Sequence, residues 1–459
     1  MAFSSIGNQE QFGKFLQIAF SNGIRNQISN DFRDWEYIKR MKVSDPKGRE
    51  IRFLFQKDLG PSAIQYRNPN FSADFPEAQQ ATSEENTALT KELNATIQIQ
   101  QNVIERYNMG KEIAYDDPFV VEMNSKMTAI KRQLSKDLYG DGTGVLGQLA
   151  TDSAAVESGK VRFSLETASS ARGHVGNFEY GEIMLLKATA GGASALDTNL
   201  ATEPAYWKVV ERRRSDDSVL LQGLDSSFAN VTVASISTQP TAGDVFYKYG
   251  QPSIPNLGSI SDYGSASEVI PGLDSLTADD SRVIHGITME GATKGTRLDA
   301  GDVQIDVSHI ESVMNDVKIN VGAGQYAWKM AMMAPEAYSQ FVESRETDRR
   351  FNSIQDEVRG VRKFVYQHRE DSIELHASEY CPKKRIYVMP EAKAGQGSVI
   401  EYHGTDFTPV KDLDGRSSFL KPSANGGYER RHISYLQGYG TLIAKHPAAC
   451  AVIENFRID

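Results

Sequence analysis

Cysteine is almost missing from the chain: among 459 residues there are two, Cys381 and Cys450. They stand far apart, with no Cys-x-x-Cys and no cysteine–histidine quartet, so neither a disulfide framework nor a structural zinc site is expected. No run of about 18 apolar residues occurs, so no helix is expected to span a membrane. The stretch MAFSSIGNQEQFGKFLQIAF has no basic segment leading into an apolar core, so no signal peptide is expected, and the sequons at Asn70, Asn94 and Asn230 read as chance. A cytosolic setting with both thiols reduced follows. Positive charge is also in deficit. Lys and Arg number 50 against 60 Asp and Glu, a formal net charge of −10, which disfavours a broad surface for gripping nucleic acid but not a protein that merely lies beside DNA. GxxxxGK[ST], GxSxG and HExxH are absent, which removes the commonest signatures of nucleotide, hydrolase and metalloprotease chemistry.

The chain does contain folded-protein texture. Hydrophobic residues make up 40% and charged residues 24%, close to globular averages, and the length suggests about three domains or fewer with long excursions. REIRFLF (49–55) and ELNATIQIQQ (92–101) both alternate apolar and polar residues. The period of two predicts an extended hairpin closed by a polar tip of roughly 35 residues, far longer than ordinary hairpin loops. DDPFVVEMNSKMTAIKRQLSKDLYG predicts the clearest helix: Val120, Met123, Met127, Ile130, Leu134 and Leu138 recur every three or four residues. Asp117 is placed to cap it, Pro118 suits its first turn, and Gly140 would end it in a left-handed conformation.

From about 160 to 250 short strand-like segments separated by turns predict a small barrel or sandwich. A Gly/Ser/Pro-rich connection over 251–275 follows. A helix with a Ser308/Glu311 capping box and an Ile310, Val313, Met314, Val317 stripe comes next, then a helix opening near Pro335 and a series of strands. The closing stretch RRHISYLQGYGTLIAKHPAACAVIENF is apolar enough to be buried.

The segment LYGDGTGVLGQLA spells Gly142-x-Gly144-x-x-Gly147, the letters of a dinucleotide loop. That loop needs a strand before it and a helix N-terminus after it. Here the glycines follow a helix C-terminus, whose dipole repels phosphate. They read as a tight, close-packed turn, although Glu166 does stand where a ribose acid would. Other candidates have plain readings. The eight histidines are scattered, and His368 with His376 is the one pair that could share a hairpin face. Cys381 beside Lys383, Lys384 and Arg385 reads as an ordinary loop cysteine. Arg212, Arg213 and Arg214 followed by Asp216 and Asp217 read as a solvated turn, and Asp279 with Asp280 as an exposed loop.

The ordered set of KRQLSKDLYGDGTGVLG, the run from AGDVFYKYG through PGLDSL to HGI, the MMAPEAYSQF helix and the ending LIAKHPAACAVIENF resembles the major capsid proteins of tailed bacteriophages over most of the chain. The resemblance implies an α+β, Hong Kong 97-like fold: an N-arm (1–43), an extended E-loop hairpin (44–107), a P-domain spine helix with its glycine turn (108–160), a β-rich insert (161–250), a connection (251–300) and the remaining P-domain and A-domain (301–459). It implies a non-enzymatic subunit without cofactor or metal, forming hexamers and pentamers of a virion shell assembled in the host bacterial cytoplasm. The shell would enclose DNA without reading its sequence and touch no membrane. The chain opens without a long acidic helical propeptide, so a separate scaffolding protein is the expected helper, beside a portal and a decoration or cement protein. Asp117, Pro118, Gly140, Gly142, Gly144 and Gly147 are the structural turn residues. Arg49, Arg52 and Lys57 are candidate intersubunit contacts, and equally fit a solvated hairpin face. The alternatives are an encapsulin-like nanocompartment shell, a nucleotide-binding enzyme using the glycine loop, and a monomeric adhesion module.

Overall fold

A computed structural model of the chain describes residues 33–35, 38–42, 50–58, 82–101, 118–150, 155–168, 172–187, 205–232, 242–250, 262, 269–278, 281–290, 293–321, 326–343, 353–354, 363–368, 371–392, 398–405, 407–409, 419–422 and 428–458. The fold is α+β and rich in sheet. Two compact units make it up: Met1–Arg49, Thr90–Tyr139 and Glu401–Leu442 in one, Glu50–Leu89, Gly140–Ile400 and Ile443–Asp459 in the other. Most of the expected N-arm and Asp117 fall outside the described residues.

The first elements are strands β1 (Lys39–Lys42), β2 (Glu50–Asp58), β3 (Thr82–Leu89) and β4 (Lys91–Gln100), then helix α1 (Pro118–Tyr139). The alternation expected in β4 is present: Ile97 and Ile99 are buried, while Glu92, Asn94, Thr96 and Gln98 are exposed. Its expected partner is not. β2 pairs antiparallel with β3, Glu50 opposite Leu89 and Phe53 opposite Asn86. β4 pairs with a long strand near the C-terminus, Lys91 opposite Gly440 and Gln100 opposite Arg431. The difference follows from side chains. TSEENTAL is polar apart from Ala88 and Leu89, so it can run along a solvated ribbon, whereas β4 has an apolar face that a long partner must support.

Helix α1 buries Met123, Met127, Ile130, Leu134 and Leu138, the stripe its spacing predicts. At about 1.5–3 kcal/mol per fully buried large apolar side chain, that stripe is the main reason the segment stays helical. Pro118 occupies the first helical position, where its missing N–H is no loss. The C-terminal half is enclosed beyond the stripe: Lys131, Gln133, Ser135 and Lys136 are also buried.

The barrel is built from β5 (Val145–Gln148), β6 (Ala155–Glu157), β7 (Lys160–Ser164), β8 (Ile183–Lys187), β9 (Tyr206–Arg213), β10 (Ser218–Leu224), β11 (Asn230–Val231) and β12 (Val245–Lys248). Neighbours run β5-β12-β8-β9-β10-β7, and a bridge between Leu149 and Leu165 joins β7 back to β5, which closes the barrel. Phe163 meets Trp207 and Phe246 edge-on at 5.2 and 5.5 Å, and Phe178 meets Phe246 at 5.7 Å, filling the interior. The small barrel was expected, but it begins at Val145, inside the segment 108–160 assigned to the spine and its turn.

The remaining elements are α2 (Leu273–Leu276), β13 (Val283–Ile284), β14 (Ile287–Thr288), β15 (Thr296–Asp299), α3 (Val307–Val321), β16 (Tyr326–Met333), α4 (Pro335–Glu343), β17 (Ser353–Ile354), β18 (Lys363–His368), β19 (Asp371–Ala377), β20 (Arg385–Ala392), β21 (Ile400–Gly404), β22 (Thr408–Pro409), β23 (Phe419–Pro422), β24 (Tyr428–Ala444) and β25 (Ala451–Glu454). In one unit β24 pairs with β4, β21, β22 and β23, and β1 runs parallel to β21. In the other, a sheet ordered β15-β25-β20-β16-β19-β18-β17 packs Ile386, Val388 and Ile453 against Ile310, Met314 and Phe341 of α3 and α4. The cap of α3 is Asp306 with His309, not Ser308 with Glu311. The Asp306 N–H donates to His309 Nδ1 at 3.1 Å and the His309 N–H to the Asp306 carbonyl at 3.0 Å. Buried Ile305 and Val307 draw the helix start toward the core ahead of Ser308.

A charge network crosses this sheet. Asp274 of α2 is buried 2.8 Å from Arg297 of β15 and 2.9 Å from Arg385 of β20, and Arg297 also reaches Glu454 of β25 at 3.0 Å. Burial alone would raise the Asp274 pKa, but the two guanidinium groups outweigh it and hold the carboxyl down to about 2. Its stabilisation is therefore present above the ordinary value of 3.8 and is lost as the pH falls toward 2. Asp274→Asn takes the shared carboxylate away from two buried guanidinium groups and is expected to cost about 3–5 kcal/mol, read as a lower urea midpoint at pH 7. A change below about 0.5 kcal/mol, the scale of an ordinary surface substitution, would refute the role given to this carboxylate.

Candidate functional site

The turn from α1 into the barrel uses its glycines for two different reasons. Gly142 and Gly144 are left-handed, at φ 80° and 76°. Gly147 lies in β5, where a Cβ would come within 2.8 Å of the Phe178 ring. Gly140 does not adopt the left-handed conformation expected of it. The chain instead leaves the helix through Asp141, whose carboxylate accepts the Thr143 N–H at 2.9 Å and also the Thr143 hydroxyl. The reversal falls two residues later than a glycine cap would put it.

This turn is closed to a pyrophosphate. Gly142 and Thr143 are buried, and the Thr143 N–H is taken by Asp141. Ser275 donates to the Asp141 carbonyl at 2.9 Å, and the His174 N–H and Asn177 Nδ2 donate to the Leu146 carbonyl at 3.0 and 3.3 Å. The Glu166 carboxylate accepts the N–H groups of Thr167 and Ala168 at 2.9 and 3.0 Å.

The triple-arginine turn is solvated only in part: Arg213, Ser215 and Asp216 are exposed, while Arg212 and Arg214 reach partners elsewhere. Arg214 forms a fork on Glu336 of α4, at 2.7 and 2.9 Å, and donates to the Glu379 carbonyl at 2.6 Å. Arg212 donates to the carbonyls of Gly176 and Phe178 at 3.2 and 3.1 Å. Lys383 stands 2.8 Å from Asp217 and also donates to the Arg214 carbonyl. Together these contacts clamp the barrel onto α4 and the loop 378–385. Burial raises the Asp217 pKa against the pull of Lys383. At Glu336 burial acts in the same direction, but the Arg214 fork wins and the pKa falls. His174 completes the clamp: its Nδ1 accepts the Gly176 N–H at 3.1 Å, and its Nε2 lies 2.7 Å from the Tyr380 carbonyl. Burial, with Arg214, Arg385 and Lys383 adding repulsion, pushes its pKa down to about 3.

The other candidates disperse. Cys381 lies in the loop 378–385, as expected, but is buried there, with Sγ 3.5 Å from the Arg385 carbonyl. Burial pushes the Cys450 thiol up to about 12. His368 pairs with Asp371 at the turn of the β18–β19 hairpin, and His376 sits near its far end. Among the described residues no group of three His, Cys, Asp or Glu is placed to hold a metal ion. Asp279 and Asp280 lie outside the described residues.

Arg52, on the β2–β3 ribbon, is exposed 3.5 Å from Glu85. Lys57 belongs to β2, and Arg49 lies outside the described residues. The ribbon's other face carries Phe53, edge-on to His285 at 6.4 Å, and its strands pair only with each other among the described residues. Sequence reading missed His174, Glu336 and Lys383 as clamp residues. The one available signal was three arginines running into two aspartates, a charge pattern that invites partners from elsewhere in the chain.

No protein-family model matches the chain, and no curated protein matches it in sequence. Among solved structures it is similar to the capsid asymmetric unit of cyanophage A-1(L), at 9% identity and a TM-score of 0.47, covering 93% of this chain and 94% of that one. It is also similar to a structure from Mycobacterium phage Patience, at 7% identity and a TM-score of 0.42, covering 97% and 88%. A third is the holo-SrpI encapsulin complex from Synechococcus elongatus PCC 7942, at 10% identity and a TM-score of 0.41, covering 94% and 89%.

The two roles of glycine are separable by substitution. Gly144→Ala is expected to lose about 1–2 kcal/mol through left-handed strain, and Gly144→Asn distinctly less, because asparagine tolerates that region. Chemical unfolding of the two variants gives the order; equal losses would mean that space, not conformation, requires glycine there.

Proposed function

We propose that the chain is the major capsid protein of a tailed bacteriophage, with the Hong Kong 97-like fold, and that it assembles as hexamers and pentamers into an icosahedral shell around double-stranded DNA. The observation that carries this reading is the β2–β3 ribbon. It pairs with no other strand among the described residues, exposes Leu54 at 77%, and leaves the outer edges of both strands unpaired. A two-stranded ribbon is marginal alone in water, and open edges invite another chain. A neighbouring copy that receives the ribbon satisfies both needs, and rotation-related contacts of this head-to-tail kind close into rings.

Other features support the same reading. The element order is ribbon, spine helix, β-rich insert, then mixed sheet. In this arrangement the E-loop is β2, β3 and the connecting residues 59–81. β4 goes with the spine helix, since both belong to one unit and β4 pairs with β24. The net charge of −10 suits a wall that DNA slides along. The protein has no catalytic task here, needs no cofactor, and works with a separate scaffolding protein, a portal and a decoration protein, assembling in the host cytoplasm. Arg52, with Lys57 and Arg49, is a candidate contact to the next subunit through the ribbon.

Deleting residues 62–81 spares both ribbon strands. The variant is expected to remain a soluble subunit yet form no closed shells in negative-stain microscopy, whereas the full chain with its scaffold does. Normal shells from the deletion would overturn the reading. Nuclease-protected DNA in shells of the full chain separates it from an encapsulin-like compartment, in which protein cargo takes that place.

A further inference from the structure

The clamp between the barrel and the loop 378–385 contains one imidazole, that of His174. Both ring nitrogens of His174 are committed, and their partners dictate the proton's position. The Tyr380 carbonyl only accepts, so Nε2 carries the hydrogen; the Gly176 N–H only donates, so Nδ1 carries the lone pair. A second proton has one place to go, Nδ1, where it would face the Gly176 N–H.

The surroundings give that proton no compensation. From the β9–β10 turn, Arg214 and Asp217 face the ring's site; from the loop before β20 and the start of that strand, Lys383, Lys384 and Arg385; from the loop after β7, Glu166. Every nearby carboxylate already has a partner: Asp217 holds Lys383, Glu336 of α4 holds Arg214, Glu379 lies 3.6 Å from Arg212, and Glu166 caps its own turn. A groove lined by Glu166, Thr167, Gly173, His174, Asp217 and Lys383 gives solvent protons a path to the ring.

We propose that His174 makes this clamp an acid-weakened latch: while Nδ1 accepts the Gly176 N–H among Arg214, Lys383 and Arg385 it takes no second proton, so a proton from solvent binds the ring only once the barrel has left the loop 378–385, and acid favours that release. The ring is protonated only in the released state, where it has its ordinary value near 6.5, so the latched state is favoured above that pH and weakens progressively below it. This is a property of the folded subunit and does not depend on the shell reading.

The test is amide exchange of the full-length chain, expressed as protection relative to the unstructured rate at each pH. Between pH 8 and pH 5, protection of the segments 174–178 and 378–385 is expected to fall about thirtyfold, as one ring with an ordinary pKa in the open state requires. β16 should keep its protection. His174→Gln offers an amide donor to Tyr380 and an acceptor to Gly176 without a proton to gain, and its protection should stay level. A level wild type, or a His174→Gln variant that falls as steeply, overturns the proposal. If that variant does not fold at pH 8, the wild type alone decides. The logarithm of protection at both segments should drop by about one per pH unit between pH 6 and 4; a flat line, or the same drop at β16, counts against the latch.

Discussion

The burial of Asp274 between two arginines ties together three elements of the larger unit, α2, β15 and β20. A carboxylate withdrawn from water survives only if its partners are held close, and its partners lie on β15 and β20. Arg385 opens β20, so fixing it also fixes where the preceding loop leaves the sheet. That loop carries the Tyr380 carbonyl and the Lys383 ammonium, two of the groups that receive the barrel. Hydrophobic packing alone would tolerate small shifts of β20. A buried ion pair and a carbonyl that must meet an imidazole would not, because hydrogen bonds lose strength steeply with distance and angle.

The same economy of position explains the glycine turn. Three glycines in the spacing of a phosphate loop are a statement about letters, and phosphate binding is a statement about N–H groups. At a helix C-terminus the dipole has the wrong sign, and Asp141, Ser275 and the 173–178 loop use the polar groups that a ligand would need. What the segment requires is reversal within five residues and entry into a barrel whose interior is already occupied by Phe178. Left-handed Gly142 and Gly144 provide the first, and the missing side chain of Gly147 provides the second.

Local order was legible and long-range pairing was not. The α1 and α3 stripes follow from periodicity, because burial on one face leaves a period of 3.6 in a helix, the start of α4 from Pro335, and six of the eight barrel strands, β7 to β12, from short segments spaced by turns. Periodicity names a face but no partner. REIRFLF and ELNATIQIQQ alternate equally well, and nothing in either says that one meets polar TSEENTAL while the other meets a strand near the C-terminus. The strand β3 gave no signal because two apolar residues cannot show a period. The clamp was invisible for a related reason: Arg214 and Glu336 are separated by 122 positions and Lys383 and Asp217 by 166, so their pairing exists only in the folded chain.

That separation also governs how the molecule is reached. The barrel closes among residues 145–248, and its aromatic interior comes from within that stretch. The unit that holds α1 cannot close so early. β4 needs β24, and β1 needs β21, so its sheet waits for the last segments of the chain. Loop-closure entropy makes such pairings slow even when the finished sheet is stable. Until then β4 exposes a strand edge and an apolar face, Ile97 and Ile99 included, of the kind that pairs wrongly with other chains. Helix α1 follows β4 closely and contacts it in the finished unit. An early encounter between the two would cover part of that apolar surface while β24 is still absent.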